Sequence, residues 1–457
     1  MSRGFQRVTR FIWASAAIFM LAGGASLASA ETLPQALASA YASNPTLRAE
    51  RARQRGTDEQ VPQALSGWRP TVTAQGVVTQ SWSDTNVVKK SENTAAGVTI
   101  YLSQPIFRGF KTVNGTLQAE ANVQAGRQNL LSVEQDILFQ GVQAYMNVIR
   151  DRQIVGLRQK NVSALRQELN AANERFKVGE ITRTDVAQSR AGVAQSQAFV
   201  ATAVANLAVS AAAFEKVIGH KPGSLNYPRI AKLPRSLDDA QAAAIEINPD
   251  ILAAAFVEEA SNYNVEVVKG DLLPELHVAA SASITDDPQQ GIERSNSEQI
   301  QGVLTVPLYE AGRVYSAVRQ SKQVASQRRL QVIQAGRGVR ENVSNSWHFL
   351  ESARQAIQAD RSQVSANQLA LDGVRQEYLV GSRTTLDVLN AQTNVVTARI
   401  ALVSAERDQV VSSYQILGSV GKLTARDLHL SVDYYDADEN YLAVRNKWFG
   451  TGANTVE

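Results

Sequence analysis

Val178-Gly179-Glu180-Ile181-Thr182 and Val380-Gly381-Ser382-Arg383-Thr384 stand 202 residues apart and have the same layout. In each, a glycine supplies the positive φ that ends a helix, and a threonine three positions on can cap the helix that follows. Outward from these turns the register persists. Phe176, Asp185, Gly219 and Pro105 return 202 positions later as Tyr378, Asp387, Gly421 and Pro307. Nearer the amino terminus, Leu33, Asn44, Pro45, Leu47 and Pro70 return 204 positions later as Leu237, Asn248, Pro249, Ile251 and Pro274. A period near 200 is far longer than a solenoid unit of about 20–50 residues, so each copy is a set of elements and the chain has internal pseudo-twofold symmetry.

The turns sit between long helices. From about Thr116 to Arg175 and from about Tyr315 to Glu377 there is no proline, and roughly 60 helical residues measure about 90 Å. Such lengths point to coiled coil. Val339, Val343, Ser346, Leu350, Ala353 and Ile357 step by alternating fours and threes, as do Leu389, Thr393, Val396, Ile400, Val403, Arg407, Val410, Tyr414 and Leu417. These seams are rich in Ala, Ser and Thr, which favours a broad wall of closely approaching helices over a thick globular core. Two long αα-hairpins result. Shorter amphipathic helices with Asn-Pro start signals are expected near Leu33–Leu65 and Leu237–Lys269.

Four segments of about ten residues alternate with period two. Val72, Ala74, Gly76, Val78 and Trp82 share one face, and Ala96, Val98, Ile100 and Leu102 another. Their mates are Leu276, Val278, Ala280 and Ile284, then Ile300, Leu304 and Val306. Pro105 and Pro307 are expected to close the strand pairs. Length and apolar-out, small-polar-in alternation fit outer-membrane barrel strands; a soluble sandwich with one wet face shows the same alternation.

Residues 1–30 read as a signal peptide. Arg3, Arg7 and Arg10 precede an apolar stretch from Phe11 to Ala25, and Ala28-Ser29-Ala30 offers a cleavage site. The competing reading, a membrane anchor, needs about 20 residues and the stretch is shorter. Those three arginines account for the whole formal net charge of +3, so no electrostatic argument for nucleic acid remains. The chain has no cysteine, which excludes a disulfide staple and a lipid on a mature Cys. Beyond residue 30 no apolar run approaches a spanning helix, so membrane entry is expected through strands.

Four strands cannot close a barrel alone, because bacterial outer-membrane barrels begin at eight and an open edge in lipid leaves backbone groups unpaired. Strands must be pooled between chains. The tandem repeat, the paired strands, the exits Gln104-Pro105-Ile106-Phe107-Arg108-Gly109 and Val306-Pro307-Leu308-Tyr309, and the two Val-Gly-x5-Asp-Val turns together resemble the TolC family of outer-membrane efflux channels. The likeness covers essentially the whole mature chain. It implies an α+β membrane protein, a homotrimer whose shared twelve-stranded transmembrane β-barrel continues into a long periplasmic helical barrel of coiled-coil hairpins. It implies a cell outer-membrane location extending into the periplasm, no enzymatic activity and no cofactor. The partners it implies are outer-membrane lipid, a periplasmic adaptor (membrane fusion) protein and an inner-membrane RND or ABC transporter, with drugs, small toxic molecules or proteins as cargo through a tripartite efflux or type I secretion system.

The resemblance also assigns residues. Val178, Gly179, Val380 and Gly381 become adaptor-docking tips. Asp185 becomes a gate latch linked to Arg383 or Tyr378, and Asp387 the first acid of a pore constriction in which Asn390 stands where the family often has a second Asp. Read without the resemblance, Asp185 and Asp387 are solvated helix-start acids, placed where the dipole favours them.

No enzyme constellation competes. His220, His277, His348 and His429 lie far apart in sequence, with no Cys and no i, i+4 pair, so zinc or nucleophilic chemistry has no local motif. Gly450-Thr451-Gly452 lacks a following Lys-Ser or Lys-Thr and reads as a disordered tail, and the acidic run Asp433–Asn440 as solvated. The expected division is a signal peptide over 1–30, repeats over 31–230 and 231–430, and a polar tail over 431–457. The runner-up is a periplasmic coiled-coil or adaptor-like structural protein; adaptors, however, usually carry one hairpin flanked by lipoyl-like and barrel modules, not a tandem repeat.

Overall fold

The structure, a computed structural model, describes residues 30–84, 86, 90–289 and 291–453. All of the expected signal peptide except Ala30 lies outside the described residues. The first copy runs α1 (Leu33–Ser43), α2 (Pro45–Asp58), α3 (Gln60–Leu65), β1 (Thr71–Ser83), β2 (Ser91–Arg108), α4 (Lys111–Lys177) and α5 (Arg183–Ile218). The second runs α6 (Leu237–Ile247), α7 (Pro249–Lys269), β3 (Glu275–Gln289), β4 (Ile292–Thr305), α8 (Arg313–Leu379) and α9 (Thr385–Val420), and is followed by α10 (Ala437–Arg445). Both long helices have 67 residues and both of their partners 36. At about 1.5 Å per residue the long ones measure about 100 Å.

Two local differences separate the copies. Pro62 has no N–H to give, and the first copy breaks there into α2 and α3; Glu266 stands at the matching place and α7 runs unbroken. The change of offset from 204 to 202 falls in the β-hairpins: β1 and β2 are joined by residues 84–90, but β3 and β4 by 290–291, with Gly291 at φ +89°.

The strands form one antiparallel sheet in the order β1-β2-β3-β4. Register carries one apolar face across it: Val72 lies opposite Leu102, Leu102 opposite Ala280 and Ala280 opposite Ile300. The other face aligns Thr73, Tyr101, Ser281 and Gln299. Val78 is 75% exposed and Ile300 81%, so the apolar face meets no protein among the described residues of the chain. The outer edges of β1 and β4 have no strand partner among those residues either. The strands, at 13 to 18 residues, exceed the expected ten, because polar residues such as Ser91–Thr94 and Arg294–Asn296 prolong the ladder past the apolar band. One proline does not behave as expected. Pro105 lies inside β2, at a register shift between Pro105 and Phe107 where a missing N–H is tolerated, whereas β4 stops before Pro307.

The helices form a wall. α4 packs on α5 towards the turns, on α7 towards the sheet and on α9 beside it, while α8 packs on α9 and α7. All six residues of the α8 seam are buried. α9 buries Leu389, Val396, Val410 and Leu417 of its expected seam and also Val388, Val395, Ala398 and Ile416, because α8 and α4 cover two of its sides. α5, contrary to the expectation from apolar runs, is long and apolar enough by composition to cross a membrane; Ala, Val, Leu and Phe over 198–214 raise its mean hydropathy, and Thr202, Asn206 and Ser210 break them into short runs.

Halfway along, a collar of larger residues closes around the wall. Leu33, Leu37, Tyr41, Leu138, Tyr145, Phe214, Ile218 and Leu423 form its core. Each Asn-Pro pair pins a hairpin to it. Asn44 Oδ1 accepts from the Thr46 amide at 2.9 Å and Asn44 Nδ2 donates to Val217 O at 3.0 Å; Asn248 repeats this with the Asp250 amide at 2.9 Å and Ser419 O at 2.8 Å. Gly219 and Gly421 end α5 and α9 at φ +99° and +100°, and a Cβ on Gly421 would lie 2.9 Å from Ile247 O.

The carboxy-terminal segment departs from the expected solvated tail. Residues 437–445 are the helix α10, seated between α2/α3 and α4. Asn440 is buried and donates to buried Asp58 at 2.8 Å, and Arg445 donates to Glu120 at 2.9 Å. Charge and amide content make the run look solvated, but these polar groups have partners on other helices. Gly450–Gly452 has no regular structure, and Gly452 O accepts from Lys447 Nζ at 2.7 Å.

Tyr145 is fully buried, with its hydroxyl 2.7 Å from Glu31 O and 2.6 Å from Asn226 O, and burial pushes its pKa up to about 12. Tyr145→Phe keeps the ring but removes the donor to Asn226 O, while Glu31 O keeps the Asn226 amide at 2.9 Å, so it should cost about 1–3 kcal/mol, read as a lowered midpoint in thermal melts of the detergent-solubilised protein.

Candidate functional site: the far end of the helical hairpins

The two turns end the hairpins in the same way. Glu180 N donates to Arg175 O and Ser382 N to Glu377 O, both at 3.0 Å, which are the six-to-one bonds of a glycine-terminated helix. Gly179 and Gly381 sit at φ +79° and +81° with open space where a Cβ would be. Val178 is 77% exposed and Val380 81%. The four expected tip residues are therefore together in pairs, at the end of each hairpin, and free of contacts that would hide them within the chain.

Asp185 and Asp387 cap α5 and α9. Asp185 Oδ2 accepts from Thr182 N at 3.0 Å and from Thr182 Oγ1 at 2.7 Å; Asp387 Oδ2 accepts from Thr384 N at 2.9 Å and Thr384 Oγ1 at 2.8 Å. These donors hold both carboxyls below the usual carboxylate range.

The copies then diverge. Thr385 is buried beside the Asp185 carboxylate and helps to lower it, while its Oγ1 lies 3.3 Å from the Tyr378 hydroxyl. The Tyr378 ring in turn lies 4.7 Å below the Arg175 guanidinium at the end of α4. Asp185 and Tyr378 are thus joined through Thr385, and the two hairpins are tied twice. Arg383 takes no part within the chain: its Nε donates to Glu377 Oε2 at 2.7 Å. The expected direct Asp185–Arg383 link is not formed in the protomer, because Glu377 sits near the end of α8, just before the turn, and reaches the guanidinium first.

Behind these ties a polar chain crosses all four helices. Arg375 of α8 donates to Gln392 of α9 at 3.2 Å, Gln392 to Asn161 of α4 at 3.2 Å, and Asn161 to Ser196 of α5 at 3.0 Å. Leu165, Val193 and Leu389 pack beside it. Asn390 is exposed and lines a cavity of about 420 Å³ between α4, α5 and α9 together with Leu386 and Thr393. Asp387 lies one turn earlier on the same helix, outside that cavity's lining. Sequence reasoning does not single out Thr385, Glu377, Arg175 or Asn161. The signal for Thr385 is its mismatch with the first copy, where the corresponding residue is Arg183 although the Thr–Asp cap is the same. Among the described residues no group of three His, Cys, Asp or Glu could hold a metal ion.

Comparison with known proteins matches the chain to the family model described as outer membrane efflux protein, over residues 36–220 and 242–422. It is similar to the outer membrane efflux protein BepC of Brucella suis biovar 1, with 41% identity over 433 residues, 94% of each protein. It is also similar to the outer membrane protein TolC of Escherichia coli K12, at 27% identity over 89% of this chain and 86% of that one. Among solved structures, the Campylobacter jejuni CmeC outer membrane channel superposes with a TM-score of 0.78 at 15% identity, over 90% of this chain and 89% of that one.

The lowered carboxyls give a pH dependence with a definite sign. A group held below its unfolded pKa, here near 3.8, stabilises fully above that value and loses the contribution as pH falls through its folded pKa. Acidification from pH 5 to well below that value should fray the starts of α5 and α9, seen as faster amide hydrogen exchange after correction for intrinsic rates. Asp185→Asn with Asp387→Asn should abolish that pH dependence.

Proposed function

The chain belongs to the outer membrane efflux protein family, and from that membership we propose how its own residues close the channel and gate it. It is an outer-membrane efflux channel whose helices extend into the periplasm. The observation that carries the proposal is the apolar face that runs unbroken over four strands whose two outer edges are unpaired among the described residues. In lipid each unpaired backbone group costs several kcal/mol, so three copies close a twelve-stranded barrel, and the exposed apolar side of α5 is covered by a neighbour in the wall below. Thr73, Tyr101, Ser281 and Gln299 then face the water-filled interior.

The internal joint between β2 and β3 is the template for the joint between subunits. Transferring its register by the two repeat offsets sets Gly302 of β4 opposite Val78 of the partner subunit and Thr305 opposite Gln75 of the partner subunit. Cross-strand Cβ atoms at such positions are about 4.5–5.5 Å apart, close to disulfide range. Because the chain has no cysteine, Gly302→Cys with Val78→Cys should give covalent trimers on oxidation, and Gly302→Cys with Val77→Cys should not, since a one-residue slip moves the partner to the other face. Crosslinking of the second pair alone would overturn the register; a monomer in detergent would overturn the trimer.

The hairpin ends are the gate. Asp185, Thr385, Tyr378 and Arg175 tie the α8/α9 hairpin to the α4/α5 hairpin, each link contributing about 1 kcal/mol. Three copies of such ties hold a resting entrance shut and remain weak enough for a docked partner to break. The exposed pairs Val178-Gly179 and Val380-Gly381 suit a periplasmic adaptor, which would hand over cargo from an inner-membrane RND or ABC transporter. Asp387 with Asn390 contributes three carboxylates to the constriction of a trimer. In planar bilayers, Asp185→Ala with Tyr378→Phe should raise single-channel conductance with trimers intact, while Arg383→Ser alone should change it little, because Arg383 answers to Glu377. Asn390→Asp should strengthen block by multivalent cations. Unchanged conductance in the double variant would place the latch elsewhere.

A further inference from the structure

We propose that Trp448-Phe449, at the end of the carboxy-terminal segment, is a membrane-interface anchor that inserts into the phospholipid leaflet on the periplasmic side of the outer membrane. The proposal rests on the outer-membrane reading and adds a lipid-contacting site outside the barrel. Trp448 is 57% exposed and Phe449 87%, with ring centroids 6.4 Å apart. Two neighbouring aromatic rings left this open to water mark a surface that something apolar covers.

Their height is set by Arg69. Its guanidinium stacks on the Trp448 ring at 4.7 Å, and Nη1 donates to Lys447 O at 2.9 Å. Arg69 is separated from Thr71, the first residue of β1, only by Pro70, and the next residue, Val72, is already 64% exposed on the apolar face. The aromatic pair is thereby fixed where the barrel leaves the membrane. That is the depth at which Trp is favoured, because an indole has an apolar body for the acyl boundary and an N–H for the headgroups. Arg69 and Lys447 add positive charge beside phosphate headgroups.

The segment reaches that place on rails. α10 lies in the groove between α2/α3 and α4, held by Asn440 to Asp58, Arg445 to Glu120, and Tyr441 against Val61, Ala119 and Val123. A helix laid on the groove between two wall helices occupies one surface of the wall, and the outer surface is the one that keeps the duct open. The rival cover is the neighbouring subunit's strand exit. The internal joint argues against it: there Phe107 pairs with Leu276 and Gly109 abuts Gly270 and Leu273, filling the joint with no element corresponding to α10 among the described residues.

The cysteine-free chain allows single labels. Phe449→Cys carrying an NBD fluorophore is placed in the otherwise unchanged protein, in nanodiscs of phosphatidylethanolamine and phosphatidylglycerol containing lipid with a nitroxide high on the acyl chain. Labels at Ile300→Cys on the apolar sheet face and Leu369→Cys, 75% exposed on α8, serve as lipid and water references. The expected result is loss of emission with nitroxide lipid, approaching that at Ile300, and protection from aqueous iodide; Trp448→Cys should respond alike, which guards against a local defect at one site. Emission that follows Leu369 overturns the anchor. Shielding from both quenchers also overturns it and assigns the pair to a subunit contact. Loss of quenching at Ile300 itself would overturn the barrel reading, a result distinct from failure at Phe449 alone.

Discussion

Backbone groups in lipid have nowhere to turn for hydrogen bonds except to other backbone, and most of this architecture answers that constraint. A four-stranded sheet with two open edges is an incomplete object, so the chain is built as a segment of a closed wall. The same logic sets the helices below: α4 and α8 are shared walls, covered by different partners along their length, and α9 is buried on two sides because it stands between them. Stability within one chain therefore concentrates away from both ends, in the collar around Tyr145 and Phe214.

Duplication solves the geometry. The Asn44 and Asn248 clamps, with Gly219 and Gly421 beside them, place each hairpin against its collar in the same way. Since the long helices are of equal length, the two turns reach the same level. The copies then part in small ways at the turns: Thr385 replaces Arg183, Arg383 turns back to Glu377, and one hairpin offers a tyrosine, Tyr378, where the other has Phe176.

Much of this is legible in the sequence, for identifiable reasons. The seam Val339 to Ile357 is readable because one helix face meets one neighbour, and the turns because glycine at positive φ and a threonine cap act locally. The rest depends on contacts between distant segments. No spacing rule says that Glu377 outcompetes Asp185 for Arg383, or that Thr385 bridges Asp185 and Tyr378 across two hairpins. The acidic run before Asn440 looks solvated because its partners, Asp58 and Arg127, lie more than 300 residues away. Pro105 has the signature of a strand end, yet a bulge on the neighbouring register accommodates it.

The choice of seam residues has a mechanical meaning. Around the collar the helices interlock through Phe, Tyr, Leu and Met side chains, whose displacement would empty large volumes. Towards the turns the joints shrink to three aliphatic side chains and a string of amides, hydroxyls and one arginine, which can exchange partners or take up water as helices slide. The molecule is therefore graded in stiffness, a rigid waist carrying compliant arms, and a force applied at the tips would be absorbed by local untwisting before it reached the membrane.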